Sequence, residues 1–178
     1  GDFGAAAIQY KSALQRDPQS AEARRRLGDA LFRAGDIDGA LVELSKVVKD
    51  PVEGPIVLPT LSSAMVQAGE FKKLVSDFAS TSLEKKEAQA ELKTNLAIAW
   101  GALRDVAKAK QSLDAAFAAV PEFGPAMVVR SRLLAAERKP DEAIALLDSA
   151  VAKNPKAQEA WLVRGQLLGA VKGDVAGA

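Results

Sequence analysis

The chain has 178 residues, 48% hydrophobic and 26% charged, with a net charge of +1. It holds no histidine and no cysteine, which excludes disulfides, thiolate nucleophiles, histidine bases and the usual zinc and copper sites. The near-neutral charge gives no bulk attraction to nucleic acid or an anionic membrane, and no apolar run reaches the roughly 18 residues of a membrane span.

Taken in chain order, the elements repeat. Gly1-Asp2-Phe3 opens a helix over 3–16 that stops at Asp17-Pro18. A second helical pattern follows, with Leu27, Ala30, Leu31 and Ala34 at helical spacing. Gly35 suits the left-handed position that ends a helix, and Asp36 suits the N-cap of the next. That third helix carries Ala40, Leu44 and Val47 inward. Residues 49–59 hold Pro51, Gly54, Pro55 and Pro59, and read as a loop with a late, irregular helix start. Gly69-Glu70-Phe71 repeats Gly35-Asp36-Ile37, and a shortened helix ends at Ser80-Thr81-Ser82. Thr81 with Glu84 fits a capping box, which places the next helix over about Leu83 to Leu103. Arg104-Asp105-Val106 and Arg138-Lys139-Pro140 are weaker echoes of the same turn, and Gly173-Asp174-Val175 is another. Val120-Pro121 and Asn154-Pro155 match Asp17-Pro18, and the last helix covers 158–172.

The spacing of these turns is 34 or 35 residues throughout. Small side chains keep step with it. Ala6, Ala40, Ala109 and Ala143 share one position after the turn, where Leu74 is the exception, and Gly28, Ser62, Ala97, Ser131 and Gly165 share one before it. Small residues at fixed positions mark close helix crossings, because longer side chains have no room there. Each unit is therefore a pair of antiparallel helices, A and B, with the Gly-Asp turn between them.

Period, small-residue signature and closing proline resemble the tetratricopeptide repeat (TPR) family over essentially the whole chain. Residues 21–54, 90–123 and 124–157 are good units. Residues 55–88 are a degenerate one, with Pro59 inside the expected helix A and no closing proline. Residues 1–17 supply only a helix B, and 158–178 a helix A with the start of a turn, so the chain reads as a piece of a longer array. The tryptophan of the family pattern occurs only at Trp161. The resemblance implies an all-α, right-handed TPR superhelix (an α–α solenoid) of about ten helices. Residues 13–24 and the stretches 57–59 and 67–74 are also similar to TPR-repeat lipoproteins of the bacterial exosortase/PEP-CTERM system. That narrower likeness implies export to the periplasm or outer membrane of a Gram-negative bacterium and a role in exopolysaccharide or surface-protein sorting.

Catalytic equipment is poor. Asp36, Asp38, Asp141 and Glu142 sit at turns and first helical turns, where acids favour the positive helix end, and Tyr10 sits at a packing position. No phosphate loop, nucleophile elbow or metal spacing occurs, so neither enzymatic activity nor a cofactor or metal is expected. Binding is the better class. In the family, helix A lines the concave face of the superhelix, and the resemblance implies a groove for a peptide or partner protein. Its candidate lining is Glu22, Arg25, Asp29, Phe32, Arg33, Ser63, Val66, Gln67, Thr94, Ile98, Val128, Arg132, Leu162 and Gln166. The co-chaperone branch of the family clamps peptide carboxylates with Lys and Asn; Arg25 and Asp29 replace them here, so that specificity does not carry over.

Arg24-Arg25-Arg26 with Arg33 is the densest basic cluster. It reads either as an anion site or as a solvated face with Arg25 and Asp29 paired at i,i+4. The terminal helices lack their repeat partners, which would leave Ala5 and Ile8 at one end, and Trp161, Leu167 and Leu168 at the other, poorly covered; head-to-tail association of chains is expected. The alternatives to a recognition scaffold are a purely architectural segment and a regulatory module fused to an enzyme.

Overall fold

The computed structural model describes residues 2–172, and within them ten helices. These are α1 (Phe3–Arg16), α2 (Ala21–Arg33), α3 (Ile37–Ser45), α4 (Gly54–Gln67), α5 (Phe71–Phe78), α6 (Lys86–Ala102), α7 (Val106–Ala119), α8 (Gly124–Ala136), α9 (Pro140–Lys153) and α10 (Gln158–Lys172). The turn expected at Gly173-Asp174-Val175 lies outside the described residues.

The A-to-B turn is built the same way four times. The N–H of Asp36 donates to Leu31 O at 2.9 Å while that of Gly35 donates to Phe32 O at 3.1 Å. Glu70 and Gly69, Asp105 and Arg104, and Lys139 and Arg138 form the equivalent pairs at 2.9–3.1 Å. This doubled bond satisfies the last carbonyls of a helix and needs one residue in the left-handed region. Gly35 and Gly69 supply it at φ +85° and +73°, and Arg104 and Arg138 are held there at φ 66° and 61° despite carrying a Cβ. Asp2, Asp36 and Asp105 then accept the N–H of Ala5, Gly39 and Lys108 as N-caps. The B-to-A turn repeats as well. Asp17, Val120 and Asn154, each just before a proline, have φ between −134° and −131° and ψ between 87° and 101°, because the proline ring bars the helical region to its predecessor.

Close crossings hold each pair together. A Cβ built on Gly28 would lie 2.4 Å from Leu44 Cδ2, so only glycine lets α2 approach α3 this closely. Ala40, Ala109 and Ala143 are fully buried at the matching site, and Leu74 fills it in the degenerate unit. Leu44, Leu113 and Leu147 are fully buried one turn further on.

Two expectations fail in the irregular unit. Helix α4 starts at Gly54, not after Pro59, and Pro59 is buried inside it. A proline here removes a single helical N–H, and the Ser62 hydroxyl donates to the Pro59 carbonyl at 2.8 Å within a buried setting. Helix α3 correspondingly ends early, at Ser45, and tight turns carry the chain to Gly54, which packs against the Val48 carbonyl where a Cβ would lie only 2.4 Å away. The Thr81–Glu84 capping box does not form. Helix α6 starts at Lys86 without a side-chain cap, and the Leu83 N–H is taken instead by the Gln89 carboxamide at 2.8 Å.

Helices pack in succession along the chain, and the A helices also touch one another: α2 meets α4, α4 meets α6, α6 meets α8, and α8 meets α10. Consecutive B helices make no such contact among the described residues. One side of the array is therefore a continuous layer of A helices, and the other a row of B helices set apart by clefts.

Candidate functional site

The continuous A-helix face is held by polar links between neighbouring helices. Between α2 and the turn leading into α4, Arg25 Nε donates to Glu53 at 2.5 Å, and the same guanidinium meets Asp29 at 3.2 Å. Between α4 and α6, the Asn95 carboxamide donates to the Ser62 and Ser63 hydroxyls at 2.8 and 2.9 Å. Ser63 donates in turn to Glu91 at 3.3 Å. Burial pushes the Glu91 carboxyl above its usual range, opposed by that Ser63 bond. Between α8 and α10, Arg132 pairs with Glu159 at 3.0 Å. The α6–α8 junction carries the small residues Gly101, Ala102, Ala135 and Ala136 at the matching positions.

The predicted lining residues divide into three sets. Glu22, Arg33, Gln67, Arg132, Leu162 and Gln166 are exposed, Leu162 to 61%. Arg25, Asp29, Phe32, Ser63, Val66 and Ile98 are half-buried. Thr94 and Val128 are buried at 3% and 4%, and the Thr94 hydroxyl bonds back to the Ala90 carbonyl at 2.7 Å, so neither offers surface to a ligand. Asn95 and Glu53 organise the same face and were absent from the predicted set. The one signal for Asn95 is an amide directly before the apolar run Leu96–Trp100. Glu53 carried none, because its partner lies 28 residues away.

The basic cluster resolves into separate pairs rather than one anion site. Arg24 binds Glu43 at 2.7 Å and the Pro18 carbonyl, Arg25 binds Glu53 and Asp29, and Arg26 binds Glu22 at 2.8 Å. Arg33 lies over the Phe3 ring, 5.6 Å from its centre. The expected Arg25–Asp29 pair is present, and charge at this end of the face is largely compensated.

The described residues hold no cluster of acidic groups able to grip a metal ion, and none of their helices is long and apolar enough to cross a membrane. Tyr10 packs half-buried against the first core cluster.

The sequence matches the tetratricopeptide repeat family over residues 1–55 and again over 125–167, together more than half of the chain. The chain is a tetratricopeptide repeat protein. Its fold is shared with MamA (TM-score 0.66, 23% identity, 88% of this chain and 91% of that one). It is shared also with a thermophilic TPR protein of Thermus thermophilus (TM-score 0.68, 21% identity, 93% and 90%). A third likeness is to a TPR protein of Parabacteroides merdae (TM-score 0.72, 18% identity, 99% and 70%). At these identities the likeness is one of fold. No curated protein matches the sequence. TPR domains serve generally as protein–protein interaction scaffolds and are typically non-enzymatic.

Proposed function

We propose that the A-helix face of this TPR array binds an extended or helical segment of a partner protein. The observation that supports this reading most strongly is the unbroken contact of α2, α4, α6, α8 and α10, which makes one surface across five helices. Exposed Leu162, half-buried Ile98 and Val66, and the small side chains between them offer apolar anchoring, while Glu91 and the Arg132–Glu159 pair offer polar contacts to a peptide backbone. The test is affinity capture with single charge insertions on each face. Ile98→Glu and Leu162→Glu should lose the partner, and Val42→Glu, on an outer helix at a position 55% exposed, should keep it. Equal loss from all three, or loss from Val42→Glu alone, would sink the reading.

The exported-lipoprotein setting is part of the same proposal and rests on the wording of residues 13–24, 57–59 and 67–74. A parent gene without a signal peptide and acylated cysteine would refute it.

A second reading, head-to-tail association, has its own observation. Ala6 and Tyr10 are half-exposed, although their equivalents Ala40 and Leu44 are fully buried, and Gly165 has open space where Gly28 meets Leu44. These two open halves complete a single crossing when chains stack. Ile8 is exposed for a different reason, since its equivalent Val42 is exposed inside the array. Sedimentation of a monomer at every concentration would refute this reading.

A further inference from the structure

The shortened helix of the degenerate unit has a chemical consequence on the outer side of the array. Helix α5 has 8 residues, whereas α7 and α9 have 14. The missing turns leave a cleft of about 380 Å³ between the end of α5 and α7, floored by α6 and lined by Ala79, Ser80, Lys93, Trp100, Gln111 and Ser112, among others. Lys93 occupies the repeat position of the buried Leu58 and Met127, 3% and 2% exposed, and of Arg24, a cation that binds Glu43 at 2.7 Å; the counterpart of Glu43 in this unit is Ser112. Two sister units thus place core hydrocarbon here and a third places a cation with its own carboxylate, whereas Lys93 has a cation's position with a hydroxyl in the carboxylate's place.

Its surroundings do not neutralise it. Lys93 Nζ donates to the Thr81 carbonyl at 2.9 Å and the Ala79 carbonyl at 3.3 Å, and no carboxylate among the described residues pairs with it. Two of its three donors are thus used, and its charge is uncompensated. Burial holds its pKa below the usual lysine range, the sign of a cation short of a counter-charge. The cleft's other ammonium, Lys108, already has Asp105 at 3.0 Å and lies over the Trp100 ring, 4.3 Å from its centre. The two carbonyl bonds alone would suit a lysine that merely caps the end of α5. They do not explain the open cleft beside it, nor a wall that combines an indole face with Ser80, Gln111 and Ser112.

We infer that this outer cleft is a second recognition site, which takes a single carboxylate from an acidic peptide segment against Lys93 while the neighbouring apolar side chain covers Trp100. One uncompensated charge matches a monoanion rather than a phosphate dianion. The site lies away from the A-helix face, so its failure leaves the groove reading intact.

The test uses Trp100 as reporter in a Trp161→Phe background. The probes are the acetylated, amidated peptide Ala-Leu-Glu-Leu-Ala, its Gln counterpart, and the Gln peptide with a free C-terminus. The Glu peptide should change Trp100 fluorescence saturably, with an affinity roughly tenfold or more above that of the amidated Gln peptide, as expected for one charge-assisted contact. The free C-terminus tells whether a chain end supplies the carboxylate as well as a side chain does. Lys93→Met, which takes the residue found at this position in the unit 124–157, should erase the Glu-over-Gln preference. Ala115→Phe, which fills the cleft and leaves both lysines in place, should block all three peptides. No saturable response, equal response to Glu and Gln peptides in the parent chain, or an unchanged preference in Lys93→Met would overturn the inference. A thermal melt of each variant separates lost binding from lost fold, and if Lys93→Met does not fold, Ala115→Phe decides.

Discussion

Gly28→Ala and Gly165→Ala are the same chemical change at the same repeat position, and they should have opposite effects. Alanine is favoured over glycine inside a helix by about 1 kcal/mol, which both variants gain. At Gly28 the new methyl would sit 2.4 Å from Leu44 Cδ2 and 2.5 Å from its Cγ. Comfortable carbon contacts lie near 3.5–4.0 Å, so Leu44 would have to move by roughly 1 Å. It is fully buried, with no free volume to enter. Overpacking of this kind costs about 1–3 kcal/mol, leaving Gly28→Ala net destabilised by about 1 kcal/mol. At Gly165 nothing lies within 4 Å of the built Cβ, and the helix gain stands alone. Urea unfolding followed by circular dichroism should therefore move the two midpoints in opposite directions. Leu44→Ala should erase the penalty of Gly28→Ala in a double-mutant cycle. Equal stabilisation by both alanines would refute the assignment of Gly28 as the closest crossing of the pair.

Four further outcomes follow from the same geometry. Ala143→Leu, at a fully buried crossing, should lower stability by roughly 1–3 kcal/mol in the same unfolding assay. Arg104→Gly and Arg138→Gly should each raise it by up to about 1 kcal/mol, since a left-handed residue with a Cβ is strained by about 1–2 kcal/mol and the looser unfolded chain returns part of that gain. Glu91 has a folded-state pKa raised by burial, so the folded protein holds its proton more tightly than the unfolded chain; stability falls as pH rises from the unfolded value toward the folded one, and Glu91→Gln should remove that part of the slope and melt higher at neutral pH. Arg25→Glu should lower the melting temperature, because it would place a third carboxylate beside Asp29 and Glu53.

The features legible in sequence are those set by local chemistry. Gly35, Asp36 and Asp105 declared their turns because a left-handed site and an N-cap each demand particular residue types. Ala40, Ala109 and Ala143 declared the crossings because repetition exposed one position as small in every unit but the degenerate one. Features set by distant partners were hidden. Thr81 and Glu84 have the right spacing for a cap, yet Gln89 reaches back to Leu83 and α6 begins later. Pro59 reads as a helix breaker, yet a buried position between α4 and its neighbours tolerates the loss of a single bond. Glu43 and Glu53 turned a basic cluster into compensated pairs, and they lie 19 and 28 residues from the arginines they bind. Of the predicted lining, Thr94 and Val128 fell inside, as does Pro59 at the same repeat position, because periodicity by itself does not fix the boundary between face and interior.

Hydrogen–deuterium exchange of the chain, free and with its captured partner, tests recognition by the A-helix face most directly. Binding there should slow exchange in α4, α6, α8 and α10 and leave α3, α7 and α9 unchanged. Protection confined to α3, α7 and α9, with the A helices exchanging as in the free chain, would contradict it.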